Sequence, residues 1–588
     1  MTLAPTLYWS SNRFWRNGLP TRVIAGSMHY FRVHPGQWAD RLQRLADLGV
    51  TSVDTYVAWN FHQPSAAAEP DFSGWRDIEH FLSLAASAGL DAIVRPGPYI
   101  CAEWSNGGYP VWFTAGARGL RTGRPDYLDE VARWFDVLLP RLVPLQAAHG
   151  GPIIAFQAEN EFGSFGDDPR AVAAIATLLR ERGVTELIYT ADGPTPGMLD
   201  AGAVDGILTA LTLGSRAADA RALARTRRPE EPFFAAEYWS GWFDHWGENH
   251  HVRSPESAAG TLADILADHG SVSIYMAHGG TNFGTWAGAN VVDGVLAPTV
   301  TSYDSDAPIA EDGTLTPKFH ALRAVLGVDR TIESVVPTFL PPSESPLAPT
   351  AGTLATARSL AGDAVPAGAV LSFDEAGMPG ALGLYEADVR TSEDSWTLTV
   401  TRVADRGSVY LDGIPVGDVE GEGTLTLSTP PGTHRLSILV ENVGRVNYGP
   451  LIGAAKGLLG PVLVDRRQVQ GWDLREVRIE ATDAETLASV SDGRPDRSGL
   501  AVATLDVETP ADAHLRIPGA RRALVWVNDL FLGRLDERGP QHTLYVPAPA
   551  FRAGRNTVAV WDLVGRPKTV VVSREAELGP PEEYIETF

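Results

Sequence analysis

The chain has 588 residues, and 48 Lys and Arg against 72 Asp and Glu leave a net charge of −24. This length predicts two to four domains, and the acidic balance argues against nucleic acid or an anionic membrane as a partner. The single cysteine, Cys101, excludes an internal disulfide. No apolar run is long enough to span a membrane, and no basic segment followed by an apolar stretch opens the sequence. We therefore expect a cytoplasmic protein.

Residues 22–325 alternate short apolar runs with helical patterns. The segment QWADRLQRLADLGV carries a helical stripe of Trp38, Leu42 and Leu45 and ends at Gly49. Strands separated by such helices predict a (β/α)8 barrel. A doubly wound open sheet is the alternative, but no glycine-rich phosphate loop opens the first helix. The eight candidate strands are Val23–Ser27, Ser52–Val57, Ala92–Arg95, Ile153–Gln157, Leu187–Thr190, Gly206–Thr209, Phe233–Glu237 and Ser273–Met276.

Beyond residue 337 the alternation of apolar runs and helical patterns stops. PTFLPPSESPLAPT is rich in Pro and Ser and predicts a linker. Short alternating strands follow, with an internal repeat: SVYLDGIPVG at 408–417 matches LVWVNDLFLG at 524–533, and ENVGR at 441–445 matches DLVGR at 562–566. We predict two related all-β domains of the sandwich or jelly-roll type, which support the barrel rather than bind carbohydrate. The predicted boundaries are 1–330 for the barrel, 331–365 for the linker, and 366–475 and 476–588 for the β domains.

Carboxylates and polar groups stand at the ends of several predicted strands. Strand two ends near Tyr56, and strand three runs into a loop with Glu103. Strand four is followed by Asn160 and Glu161, and strand seven ends at Glu237. Because active residues of such barrels lie at the C-terminal ends of the strands, we expect these groups to meet at the barrel mouth. Paired carboxylates with aromatic residues and without a metal cluster favour glycoside hydrolysis.

Seven motifs then give the sequence a specific resemblance. They are GSMHYFRV, TYVAWNFHQP, RPGPYICAEWSNGGYPVW, GGPIIAFQAENEFG, AEYWSGWFDHWG, GGTNFGTW and TSYDSDAP. In this order they resemble the barrel of glycoside hydrolase family 35, the β-galactosidases, and the β half resembles the family's accessory jelly rolls more loosely. The resemblance implies a retaining exo-β-galactosidase that releases terminal non-reducing β-D-galactose. It implies a small carbohydrate substrate and no metal or other cofactor.

The resemblance also assigns residues. It makes Glu161 the acid/base and Glu237 the nucleophile, with carboxyl groups about 5–5.5 Å apart as in retaining enzymes. Strand alternation cannot separate Glu159 from Glu161, because residues two apart lie on one side of a strand. The choice of Glu161 therefore rests on the resemblance alone. Asn160 is expected to bond the sugar 2-hydroxyl, and the implied lining of the galactose pocket is Tyr56, Ala102, Glu103, Trp242 and Tyr303.

Two positions depart from the family pattern. Ser305 replaces the second Tyr of the usual TSYDYDAP, and Thr285 in NFGTW replaces an aromatic residue. These changes keep open a related exo-glycosidase, such as an exo-β-glucosaminidase. A catalytically inactive sugar-binding protein is a further alternative, although the presence of both Glu161 and Glu237 argues against it. Whether the chain forms a homo-oligomer is left open.

The clustered histidines and the single cysteine are expected to have no catalytic or metal-binding role. His245, His250 and His251 lie close together, but their spacing fits no common metal-ligand template, so we expect surface or loop histidines. Cys101 is expected to form part of the pocket wall rather than to act as a nucleophile.

Overall fold

The computed structural model describes residues 5–117, 119–492 and 498–587. Its first half is a closed barrel of eight parallel strands, and each strand overlaps one of the eight predicted strands. The barrel prediction is therefore confirmed. The largest difference is in the sixth strand, which ends at Leu213 rather than at Thr209. The strands are β1 Ile24–Ser27, β2 Ser52–Tyr56, β3 Asp91–Arg95, β4 Ile153–Gln157, β5 Leu187–Asp192, β6 Leu208–Leu213, β7 Phe234–Trp239 and β8 Ser271–Tyr275.

One main helix follows each barrel strand. The first ends at Gly49, whose φ of 106° gives the left-handed stop that glycine allows, and it buries the predicted stripe of Trp38, Leu42 and Leu45. None of the helices in the described ranges has the length and apolar character that crossing a bilayer requires. The helices are α1 Trp38–Leu48, α2 Ile78–Ser87, α3 Pro125–Leu142, α4 Pro169–Glu181, α5 Pro196–Gly202, α6 Ala217–Arg227, α7 Pro255–Leu266 and α8 Pro317–Val325.

A small antiparallel sheet closes the N-terminal end of the barrel. Its strands are Leu7–Ser10, Arg13–Arg16 and Leu19–Thr21. Phe14 from this sheet packs edge to face on Phe234 of β7, with ring centroids 5.9 Å apart. The barrel is thus covered at the end opposite to the predicted site.

The first β domain is one large sheet. Its central strand, Ser395–Leu411, pairs with Ile414–Ser428, Gly432–Glu441, Gly457–Leu458 and Val462–Val464. The remaining strands are Val365–Ala367, Leu382–Thr391, Arg467–Gln468 and Trp472–Glu476.

The second β domain has two sheets, and the predicted linker contributes to both. Ser343–Pro346 pairs with Thr569–Ser573, and Ala348–Gly352 pairs with Gly499–Val507. Both are edge strands, where a proline can be accommodated because one side of the strand needs no partner. This explains why a Pro-rich sequence can form strands here. The other strands are Ala513–Arg516, Arg522–Val527, Leu530–Asp536, Thr543–Val546 and Gly554–Asp562, and the helix Thr353–Ser359 lies in the same predicted linker.

The internal repeat corresponds to two hairpins of the same form. In each, a β-bulge lies directly before the matched glycine, Gly417 in the first domain and Gly533 in the second. The matched aromatic residues, Tyr410 and Trp526, are both buried in one apolar cluster that joins the two domains. The prediction of two related all-β regions is therefore confirmed at these hairpins, whereas the exact domain boundaries stay a prediction.

Candidate active site

A cavity of about 240 Å³ opens at the C-terminal ends of the barrel strands. Its wall contains all eight residues that the sequence predicted for the site, which come from five of the barrel strands or from the loops after them. They are Tyr56, Ala102, Glu103, Asn160, Glu161, Glu237, Trp242 and Tyr303.

Glu237, on β7, is held by three donors. Its Oε1 accepts hydrogen bonds from the Tyr56 hydroxyl at 2.8 Å and from the Arg95 guanidinium, and its Oε2 accepts one from the Trp239 indole at 3.0 Å. Arg95 is fully buried within the barrel, so it supplies a fixed positive charge beside this carboxylate. The side chain is thus oriented and charge-compensated before any ligand enters.

Asn160 shares these donors. Its Oδ1 accepts from the Tyr56 hydroxyl at 2.9 Å, from Arg95 at 2.8 Å and from the Gln157 amide at 2.8 Å. With three donors on the oxygen, the amide NH2 group of Asn160 is the part left to donate to a ligand.

Glu161 is the second carboxylate at the cavity. Its Oε1 accepts a hydrogen bond from the Thr212 hydroxyl at 2.9 Å. Burial and, next in size, the negative charge of Glu237 raise the pKa of Glu161 to about 7. Its backbone is left-handed, with a φ of 47°, a costly conformation for a residue with a side chain and one that often marks functional sites. A carboxyl group in this state can give and take a proton near neutral pH.

Glu159 is engaged elsewhere. Arg121 donates to its two oxygens at 2.8 and 2.7 Å, and both side chains are buried. The assumption that Glu159 and Glu161 lie on the same side of a strand is wrong, because β4 ends at Gln157 and both glutamates have left-handed backbones. The structure thus separates two residues that the sequence pattern could not: Glu161 faces the cavity and Glu159 forms an internal ion pair.

The loop after β3 forms the opposite wall. Cys101, Ala102 and Glu103 all have positive φ, at 53°, 55° and 46°, which turns this short segment sharply. The Tyr303 hydroxyl donates to Glu103, and Arg32 donates to the carbonyl of Ala102. Burial raises the pKa of Glu103. Cys101 is a buried free thiol with Sγ 3.7 Å from a Glu103 oxygen, which is consistent with a wall residue.

Aromatic rings complete the enclosure. Trp242 packs edge to face on Trp239, with ring centroids 5.3 Å apart, and stacks on Phe243 at 5.1 Å. On its other side lies Tyr584, at 5.4 Å, from a segment more than 300 residues further along the chain. Apolar ring faces of this kind suit contact with the carbon faces of a sugar.

Several residues at this site have no role predicted from the sequence. Arg95 was visible as an arginine that ends an apolar strand, but no role was given to it. Thr212 lies in the last part of the sixth strand, beyond the predicted end at Thr209, because that strand continues for four more residues to Leu213. Tyr448 and Glu586 also line the cavity, and neither had a signal in the sequence, since both come from outside the barrel.

Ser305 and Thr285, the two departures from the family pattern, lie in different parts of the structure. Ser305 lines the cavity and is 8% exposed. Thr285 instead contacts the segment after the strand Trp472–Glu476, where its backbone N–H donates to Glu480 at 2.8 Å and its hydroxyl donates to the same carboxylate. Only Ser305 is therefore placed to alter contacts with a sugar.

The three clustered histidines bind neighbouring acidic and backbone groups. His245 pairs with Glu248 at 2.9 Å, and His250 with Asp244 at 2.8 Å. His251 lies 2.8 Å from the carbonyl oxygen of Phe243. Within the described ranges, no group of three or more His, Cys, Asp or Glu side chains is arranged to hold a metal ion.

Comparisons with known proteins agree with this geometry. Residues 13–328 match the family model "Glycosyl hydrolases family 35", and residues 371–478 and 500–556 match "Beta-galactosidase, first all-beta domain" and "Beta-galactosidase, galactose-binding domain". The chain is 35% identical to the beta-galactosidase of Canis lupus familiaris over 96% of this chain and 89% of that protein. It is 35% identical to that of Homo sapiens, over 95% and 87%. It is 33% identical to beta-galactosidase 17 of Arabidopsis thaliana, again over 95% and 87%. The chain therefore belongs to glycoside hydrolase family 35.

Proposed function

We propose that this protein is a retaining exo-β-galactosidase in which Glu237 is the nucleophile and Glu161 the acid/base. The observation that carries this proposal is the contrast between the two carboxylates at one cavity. Glu237 is bonded to a guanidinium, whereas Glu161 has a pKa raised to about 7. Such a contrast is what distinguishes a nucleophile from a general acid.

In the first step, Glu237 attacks the anomeric carbon and Glu161 protonates the departing glycosidic oxygen. A covalent galactosyl-enzyme results. Once Glu161 has given up its proton it acts as a base, removing a proton from the incoming water, which releases galactose from Glu237. The two inversions at the anomeric carbon leave the product in the β configuration.

The remaining groups hold the sugar. The free amide of Asn160 is suited to the 2-hydroxyl, which lies next to the reacting carbon. Glu103 and Tyr303 face hydroxyls more distant from the bond that breaks. The cavity of about 240 Å³ is below the roughly 300–1,000 Å³ typical of ligand pockets, which suits one terminal sugar and hence exo action.

The test is to identify the released sugar and its first anomer. The protein is incubated with nitrophenyl β-galactoside, nitrophenyl β-glucosaminide and lactose, and NMR spectra are recorded within minutes of mixing, before mutarotation. We expect β-galactose as the first product from both galactosides. Release of glucosamine alone would show that β-galactosides are not the substrates. Release of α-galactose as the first product would reject the retaining mechanism.

A further inference from the structure

Two residues that line the cavity come from outside the barrel, and we call them its outer part. Tyr448 belongs to the first β domain, and Glu586 belongs to the segment 580–587. Neither has a part in the chemical steps proposed above. Their positions relative to Glu161 indicate what they can contact.

Tyr448 is placed by a firm contact between the first β domain and the barrel loops. The strand Arg445–Val446 pairs with Gly288–Val292, and the next residue, Asn447, accepts a hydrogen bond from the Tyr99 hydroxyl at 2.8 Å. Burial and then the neighbouring charge of Glu161 raise the pKa of Tyr448 to about 12. Tyr448 thereby becomes part of the wall of the cavity that also contains Glu161.

Glu586 is placed by the loop that follows β6. The Ser215 hydroxyl donates to the Glu586 carbonyl at 3.0 Å. A Cβ atom on Gly214 would lie 2.6 Å from the same carbonyl oxygen, so the close approach requires glycine there. These two residues directly follow the strand that contains Thr212, the partner of Glu161. Glu586 therefore also lies on the side of the acid/base.

Two hydrogen bonds fix the carboxylate of Glu586. Tyr584 donates to its Oε2 at 2.8 Å, and the backbone N–H of Thr587 donates to its Oε1 at 2.7 Å. The segment is anchored further by pairing of Pro581–Glu583 with His250–Val252. The guanidinium of Arg216 contacts this segment, but it donates to the carbonyl of Thr587 and forms no ion pair with Glu586. The carboxylate thus presents acceptor positions to the cavity.

We propose that Glu586 and Tyr448 bind the leaving sugar, and that Glu586 selects galactosides whose aglycone carries hydroxyl or ammonium donors. This inference rests on the proposed β-galactosidase activity. The group that departs must lie next to the acid that protonates it. Glu586 contacts the loop after the strand that holds Thr212, the hydrogen-bond partner of Glu161, and Tyr448 lines the same cavity. Because an ionised carboxylate only accepts hydrogen bonds, it favours a donor-rich saccharide over an aryl group, and an amino sugar with a free amine most of all.

The experiment compares three β-galactosides in the wild type and in Glu586→Gln: galactosyl-β-1,4-glucosamine, lactose and phenyl β-galactoside. Assays at about pH 6 keep the amine protonated. We expect kcat/KM to fall roughly 10-fold for the glucosamine compound, because the variant loses one hydrogen bond to a charged acceptor. The loss should be smaller for lactose and absent for the phenyl compound. Glu583→Gln, on the same segment and exposed, is the matched control and should change none of the three.

A second measurement needs no variant. Free glucosamine should inhibit the wild-type enzyme more strongly than N-acetylglucosamine, which has the same ring without the charge. Equal inhibition by the two sugars, or an equal loss on all three galactosides in Glu586→Gln, would overturn the assignment of Glu586 while leaving the β-galactosidase activity intact. Absence of wild-type turnover on every galactoside would instead reject the proposed function, and this inference with it.

Discussion

The inner and outer parts of the cavity are built in different ways. The inner part, with Glu237, Asn160 and Tyr56, consists of residues at the ends of barrel strands. The outer part, with Tyr448 and Glu586, consists of residues that reach the barrel mouth from two other regions of the chain. The register of a sheet places the first group, whereas contacts between domains place the second. The comparison teaches that sheet register and the packing between domains can each bring residues to the wall of one cavity.

The largest loss of activity is expected for a variant of Glu237, in the inner part of the cavity. Glu237→Gln removes the proposed nucleophile, and kcat/KM should fall by roughly 10⁴-fold or more on every β-galactoside, whatever the aglycone. A 2-deoxy-2-fluoro galactoside with a good leaving group should label Glu237 in the wild type, as peptide mapping would show. Glu181→Gln, exposed at the end of α4, should retain full activity. Labelling of Glu103 or Glu159 would contradict the assignment.

The next effect is expected at Glu161, where the inner and outer parts meet. General acid catalysis contributes about 10²–10⁴-fold and matters most for poor leaving groups. We therefore expect Glu161→Ala to lower kcat on lactose by that amount and to change kcat on dinitrophenyl β-galactoside much less. Steady-state kinetics on the two substrates measure the difference. Equal losses on both would show that Glu161 is not the acid.

The barrel and the inner part of its site could be predicted because local patterns encode them. Alternating apolar runs and helices located all eight strands, and strand ends located Tyr56 and Glu237. The distinction between Glu159 and Glu161 could not be read from spacing, since it depends on left-handed backbones and on Arg121, which lies 38 residues earlier in the chain. Tyr448 and Glu586 could not be predicted at all, because their positions depend on how separate sheets pack against the barrel.

A third prediction concerns Glu159, which is buried and does not line the cavity. Glu159→Ala leaves the buried Arg121 guanidinium without its carboxylate, and breaking such a pair costs about 3–5 kcal/mol of unfolding free energy. Guanidinium denaturation would measure the loss, and the double variant Glu159→Ala, Arg121→Met should recover part of it. If Glu159→Ala instead lowered kcat with unchanged stability, Glu159 would have a chemical role.

The smallest predicted effect is a dependence of stability on pH that arises from Glu161. Its pKa in the folded protein is about 7, against a usual value of 4.5. The folded state therefore holds this proton more tightly than the unfolded chain, so the stability linked to Glu161 is fully present below about pH 4.5 and is lost as pH rises through 7. Glu161→Gln, which stays neutral, should avoid this loss.

Relative to the wild type, we therefore expect Glu161→Gln to be little changed near pH 4 and more stable near pH 8, by about 1–3 kcal/mol. Thermal unfolding of both proteins across this pH range measures the difference, and groups common to the two cancel. Because the charge of Glu237 contributes to the raised pKa, the double variant with Glu237→Gln should show a smaller gain from the second substitution. A gain that is independent of pH would mean that Glu161 does not hold its proton near neutrality, and the inner cavity would then lack its acid.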